Sequence, residues 1–109
     1  MVNHDLVVRA FHLANSLRYE YSPVISVVET SDGNASFKAD CFSFLLTVTV
    51  GRKGNIGVLE MIHRDNRHPV FRKPFDVLSV KDWTWFNLRS SIIMRAEEIP
   101  ECRTEEHYV

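Results

Sequence analysis

The side chains best suited to chemistry in these 109 residues are His63, Asp65 and His68, two imidazoles and a carboxylate close together. Such a set would begin a metal site. Zinc, however, takes four ligands at short recurring spacings, and Cys41 and Cys102 lie far from this loop in sequence. The triplet His63-Arg64-Asp65 would offer a carboxylate as a proton acceptor. Phosphoryl transfer built on it also requires a Gly-rich loop, a strand lysine and a metal-binding Asp-Phe-Gly, and the chain has none of them. A Gly-x-Ser-x-Gly nucleophile elbow is missing as well. The residues therefore predict no catalytic group, no metal and no cofactor.

Charge is more informative. Residues 52–73 carry Arg52, Lys53, Arg64, Arg67, Arg72 and Lys73 against Glu60 and Asp65, a net +4, while the flanking segments are acidic and the whole chain is −1. A basic stretch interleaved with Phe71 and two histidines would suit phosphates or a stacked base, so these six cations are the candidate nucleic-acid contacts. The balanced total charge argues against that partner. The sequence also puts the 51–55 turn and the 64–69 loop at opposite ends of one strand, so a single patch does not follow.

The second feature is aromatic. Trp83-Thr84-Trp85-Phe86 places three large rings on about one helical turn, and neighbours on a helix point about 100° apart. Trp85 and Phe86 fit one apolar stripe. Trp83 falls off it, and either covers the edge of the core or stands exposed as an interface anchor. The partner-binding candidates are thus Trp83, Arg64, Arg67, Phe71, Arg72 and Lys73.

The elements that must position these side chains are legible from periodicity. Leu6, Ala10, Leu13 and Leu17 form a helical stripe with Asn3 as N-cap, and Pro23 blocks continuation. A strand over 24–30 meets Ser31-Asp32-Gly33-Asn34, a strong hairpin signal. From Ala35 to Cys41 the apolar residues sit at odd positions, and from Phe42 to Val50 mainly at even ones. A side-chain period of two predicts a β-bulge or break at Cys41-Phe42 within a long bent strand. A third strand covers 56–63. A short edge strand over 70–72 ends at Pro74. A final helix over 80–98 carries the stripe Trp85, Leu88, Ile92, Ala96 and Ile99, with Ser79 and Asp82 as a capping box.

The expected fold is therefore α+β: an antiparallel sheet of three to four strands with N- and C-terminal helices packed on one face, in the order α-β-β-β-(β)-α. Length and composition predict one domain over 1–100 and a mobile acidic tail over 101–109. The chain shows no secretory signal, no apolar run long enough to span a membrane, and two unpaired cysteines, which together predict a cytoplasmic protein. Open sheet edges suggest a homodimer formed by edge pairing or helix packing. The function expected is that of a small accessory or inhibitory protein, of the kind bacteria and their viruses use, that binds a macromolecular partner. A protein is favoured over nucleic acid, and a small dimeric enzyme with an interface site is a further alternative.

Overall fold

The computed structural model describes residues 3–98. Helix α1 (His4–Ser16) is followed by strands β1 (Ile25–Glu29), β2 (Ala35–Cys41), β3 (Phe44–Val50), β4 (Ile56–His63) and β5 (Pro69–Asp76), and by helix α2 (Val80–Glu98). The strands form one antiparallel sheet in the order β1-β2-β3-β4-β5, each paired with its neighbour in sequence. The class is α+β, with five strands. The expected tail over 101–109, its Cys102, and the positions Ile99 and Pro100 lie outside the described residues.

The change of phase at residue 42 marks a hairpin, not a bulge in one long strand. Cys41 pairs with Phe44 across the two-residue turn Phe42-Ser43, and the register continues through Ala39↔Leu46, Phe37↔Val48 and Ala35↔Val50. Opposed residues in an antiparallel pair share a face. An even-length turn therefore joins the odd apolar set of β2 to the even set of β3 on one surface. Phe42 has φ 54 while Ser43 keeps a negative φ, as a type II′ turn requires. That backbone ordinarily takes glycine, which is why the turn is hidden in the sequence. The Asp-Gly hairpin forms as expected, but over three residues. Thr30 pairs with Asn34, Gly33 N–H donates to Thr30 O at 3.0 Å, and only Gly33, at φ 82, is left-handed.

Pro74 does not end the last strand, since β5 runs on through it to Asp76. An edge strand tolerates a residue that lacks an amide proton. At the other seam β3 and β4 come very close. A Cβ at Gly57 would stand 2.2 Å from the Thr49 carbonyl oxygen, so glycine is a steric requirement there.

Both helices cover the same face. On that face Ile25, Phe37, Ala39, Leu46, Val48, Leu59 and Phe75 form the core with Leu6, Ala10 and Ala14 of α1 and Trp83 and Phe86 of α2. The Asn3 side chain caps α1 by accepting from Leu6 N–H at 3.2 Å. Ser79 caps α2, its hydroxyl accepting from Asp82 N–H at 3.2 Å. The reciprocal half of the capping box is redirected: the Asp82 carboxylate accepts from Asp76 N–H at 2.7 Å. Asp76 Oδ1 in turn accepts from Leu78 N–H and from Asn55 Nδ2. This network fastens the start of α2 to the end of β5 and to the β3–β4 turn. The two helices meet where Asn87 Nδ2 donates to Ala14 O at 2.9 Å.

Candidate functional site

The sheet register sorts the basic residues into separate places. Arg52 and Lys53 are exposed on the β3–β4 turn, whereas Arg64 and Arg67 occupy the β4–β5 loop. Between them lies the length of β4, about 25 Å at the usual strand rise. Arg64 is already engaged: its guanidinium pairs with Asp40, and its Nε donates to Phe42 O at 2.8 Å. Arg67 closes its loop with φ 58, its N–H donating to His63 O at 2.8 Å. Arg72 points to the helix-free face, where it pairs with Glu60 at 3.1 Å. Lys73, its neighbour, points to the helix-covered face. The six cations thus share no common surface.

Trp83 is also removed from the partner surface. It is fully buried, donates from Nε1 to Val77 O at 2.7 Å, and packs edge-on to Phe37, Phe75 and Phe86. Its ring is the largest wholly buried side chain among the described residues. The inward face of α2 consists of Trp83, Phe86, Asn87, Ser90 and Ser91. The stripe expected to be buried points the other way. Leu88 is 44% exposed and Ile92 55%, with Trp85 and Ala96 half-buried beside them. Helix α2 is apolar on both sides, and the serines and asparagine on its inner side conceal this from a periodicity argument.

At the β5 side of this outer ridge an aromatic–cation group is assembled from two elements. Lys73 Nζ lies 3.8 Å from the centroid of the Trp85 ring. The Arg89 guanidinium lies 5.8 Å from the same ring and 5.9 Å from that of Phe71, and Phe71 meets Trp85 edge-on at 5.8 Å. Among the described residues, neither Lys73 nor Arg89 has a carboxylate within ion-pair distance. Of the sequence candidates the structure therefore brings Phe71 and Lys73 together, and adds Trp85, Arg89, Leu88 and Ile92. The i, i+3, i+7 spacing of Trp85, Leu88 and Ile92 was the visible signal, but for the opposite face.

The remaining surfaces offer less chemistry. The helix-free side of the sheet holds a shallow concavity of about 860 Å³ along Thr49, Val58, Glu60, Arg72 and Pro74, where Arg72 and Glu60 pair with each other. The His63 ring packs on that of Phe44, with centroids 4.5 Å apart, whereas His68 is exposed and its backbone N–H donates to Asn66 Oδ1. No group of three or more His, Cys, Asp or Glu side chains converges among the described residues. Burial beside Asp40 pushes the Cys41 thiol up to about 12, against a smaller opposing pull from Arg64, so it is no nucleophile at neutral pH. No helix among the described residues is long and apolar enough to cross a membrane. No protein family, curated protein or solved structure matches this chain.

Proposed function

We propose that this chain is a small non-enzymatic accessory or inhibitory protein of the cytoplasm that binds another protein along the outer face of α2. The observation that carries the reading is the ridge formed by half-buried Trp85 and exposed Leu88 and Ile92, beside two cations that, among the described residues, have no carboxylate within ion-pair distance. Apolar residues at this spacing, with a tryptophan and an arginine among them, match the anchors that dominate protein interfaces. The flanking charge selects the partner's chemistry: an apolar segment bordered by Asp or Glu, whose carboxylates would meet Lys73 and Arg89. A buried free thiol at Cys41 fits a reducing compartment. The scatter of Arg52, Lys53, Arg64, Arg67 and Arg72 over both ends and both faces of the sheet weighs against nucleic acid, which needs cations along one track.

The test places a photo-cross-linking residue at Leu88 in the native cell, with the same residue at Val58 on the helix-free face as control. A protein captured from position 88, lost on Ile92→Lys or on Lys73→Glu with Arg89→Glu, supports the reading. Capture of nucleic acid, or equal capture from both positions, would overturn it.

A further inference from the structure

We propose that Lys73 and Arg89, with the rings of Phe71 and Trp85, form the seat of an aryl phosphate, and that the protein held on the α2 ridge presents a phosphotyrosine there. The inference rests on the reading of that ridge as a protein-binding surface and narrows its acidic contact to one chemical group.

Two elements build the seat by their own periodicities. Phe71 and Lys73 are two positions apart on β5 and so share its helix-covered face, and Trp85 and Arg89 are four apart on α2 and so share one side of the helix. The pairs are crossed. The strand's cation rests on the helix's ring, Lys73 Nζ being 3.8 Å from the Trp85 centroid, and the helix's cation stands near both rings, 5.8 Å from Trp85 and 5.9 Å from Phe71. The rings themselves meet edge-on at 5.8 Å. Contact with aromatic faces limits the directions that both long side chains take, so less order has to be imposed when an anion arrives.

The charge of the group selects the ligand. Among the described residues neither cation has a carboxylate within ion-pair distance, while Arg64 and Arg72 each have one. Two uncompensated positive charges beside one ring exceed what a single Asp or Glu neutralises. A phosphate monoester carries about −1.5 to −2 at neutral pH and three acceptor oxygens, enough to meet an ammonium and a guanidinium together.

The rings select the aryl ester. Phe71 and Trp85 are half-buried, so part of each stays in contact with water and a phenyl group can cover it, whereas an alkyl phosphate would leave it wet. Leu88 and Ile92, on either side of Arg89 in sequence, continue the apolar surface for the residues that flank the phosphotyrosine. A nucleic-acid strand is a poorer fit. It carries a row of phosphates, and the other cations of the 52–73 segment lie at both ends of the sheet and on its opposite face.

Titration of the full isotope-labelled chain with phenyl phosphate, read from the two indole N–H signals by NMR, tests the proposal. The expected result is a saturable shift of the Trp85 signal, weakened about tenfold by Lys73→Gln or Arg89→Gln and unchanged by Arg72→Gln on the other face. The Trp83 signal stays fixed as an internal control, since that indole is buried and bonded to Val77 O. Inorganic phosphate, which lacks the ring, and phenylacetate, which lacks the second charge, bind several-fold more weakly. Absence of a saturable shift overturns the proposal, as does equal binding of inorganic phosphate. Equal binding of phenylacetate overturns it too, but leaves an acidic protein partner on the ridge, so the two readings fail separately. Stronger binding of a nucleoside monophosphate overturns it in favour of a base on the rings.

Discussion

Lys73 sits over the ring of Trp85, 3.8 Å from its centroid, although the two belong to an edge strand and a helix twelve positions further on. The alternation of β5 turns Lys73 toward the helices and leaves Arg72 on the other face. The aliphatic stem is thereby half-buried and the ammonium is held against an aromatic face, worth about 0.5–1 kcal/mol at an exposed site. Replacing Trp85 with Phe should leave emission from Trp83 alone, blue-shifted and resistant to acrylamide. The converse Trp83→Phe should leave a quenchable emission that responds to Lys73→Ala. Equal quenching in the two variants would contradict the assignment of inner and outer rings.

The two sides of α2 should respond differently to truncation. Trp83→Ala removes the largest buried side chain and strands the Val77 carbonyl, a loss of about 3–5 kcal/mol in urea unfolding. Leu88→Ala and Ile92→Ala change little packed surface and should each stay within about 0.5 kcal/mol. If the outer residues proved as costly as Trp83, the orientation of α2 would be wrong.

How much of this was readable beforehand depended on the kind of signal. Helix α1 and β4 follow from spacing, because their apolar positions are ordinary, and so does the extent of α2, though not its buried face. The turn at Phe42 was missed because a bulky residue occupies a backbone conformation that sequence rules reserve for glycine. Its trace, the switch from odd to even apolar positions, was visible but admits either a bulge or an even-length turn. The face of α2 was misassigned for a different reason. Asn87, Ser90 and Ser91 are buried at close helix packing, and Asn87 is held there by a bond to Ala14 from the other end of the chain. No local pattern encodes such a contact. The aromatic–cation group likewise joins residues whose proximity depends on the register of β5.

Phe42→Gly tests the turn directly. A non-glycine residue at φ 54 costs about 1–2 kcal/mol relative to the preferred conformations, and Phe42 is 46% exposed, so little packing is lost. The substitution should raise the urea midpoint at unchanged slope. A lower midpoint would show that the ring supports the fold.

At Gly57 the opposite holds. Gly57→Ala drives a methyl group toward the Thr49 carbonyl, backbone that cannot give way without disturbing the β3–β4 pairing. A loss of about 1–3 kcal/mol is expected, with faster amide exchange at Thr49 to Gly57.

Cys41 supplies a prediction in pH. Its thiol is held neutral in the folded chain, about 12 against an ordinary 9.0, chiefly by burial and then by Asp40. A folded pKa above the unfolded one leaves stability untouched below pH 9.0 and erodes it as pH rises toward 12, because only the unfolded thiol ionises in that window. In the Cys102→Ser variant, Cys41→Ala should remove this component of alkaline destabilisation. Alkylation of Cys41 at neutral pH should proceed only after denaturant is added.

The sequential order of the strands also shapes how the chain reaches its fold. Each pairing closes a loop of only two to five residues, so the sheet is assembled by local zippering with little chain-closure entropy to overcome. The most distant of the helix contacts is that of α1 with α2, sealed by Asn87 and Ala14, which are 73 positions apart. Hairpin formation should therefore precede helix docking in time. Substitutions in the β3–β4 hairpin should slow folding, while Asn87→Ala should mainly hasten unfolding.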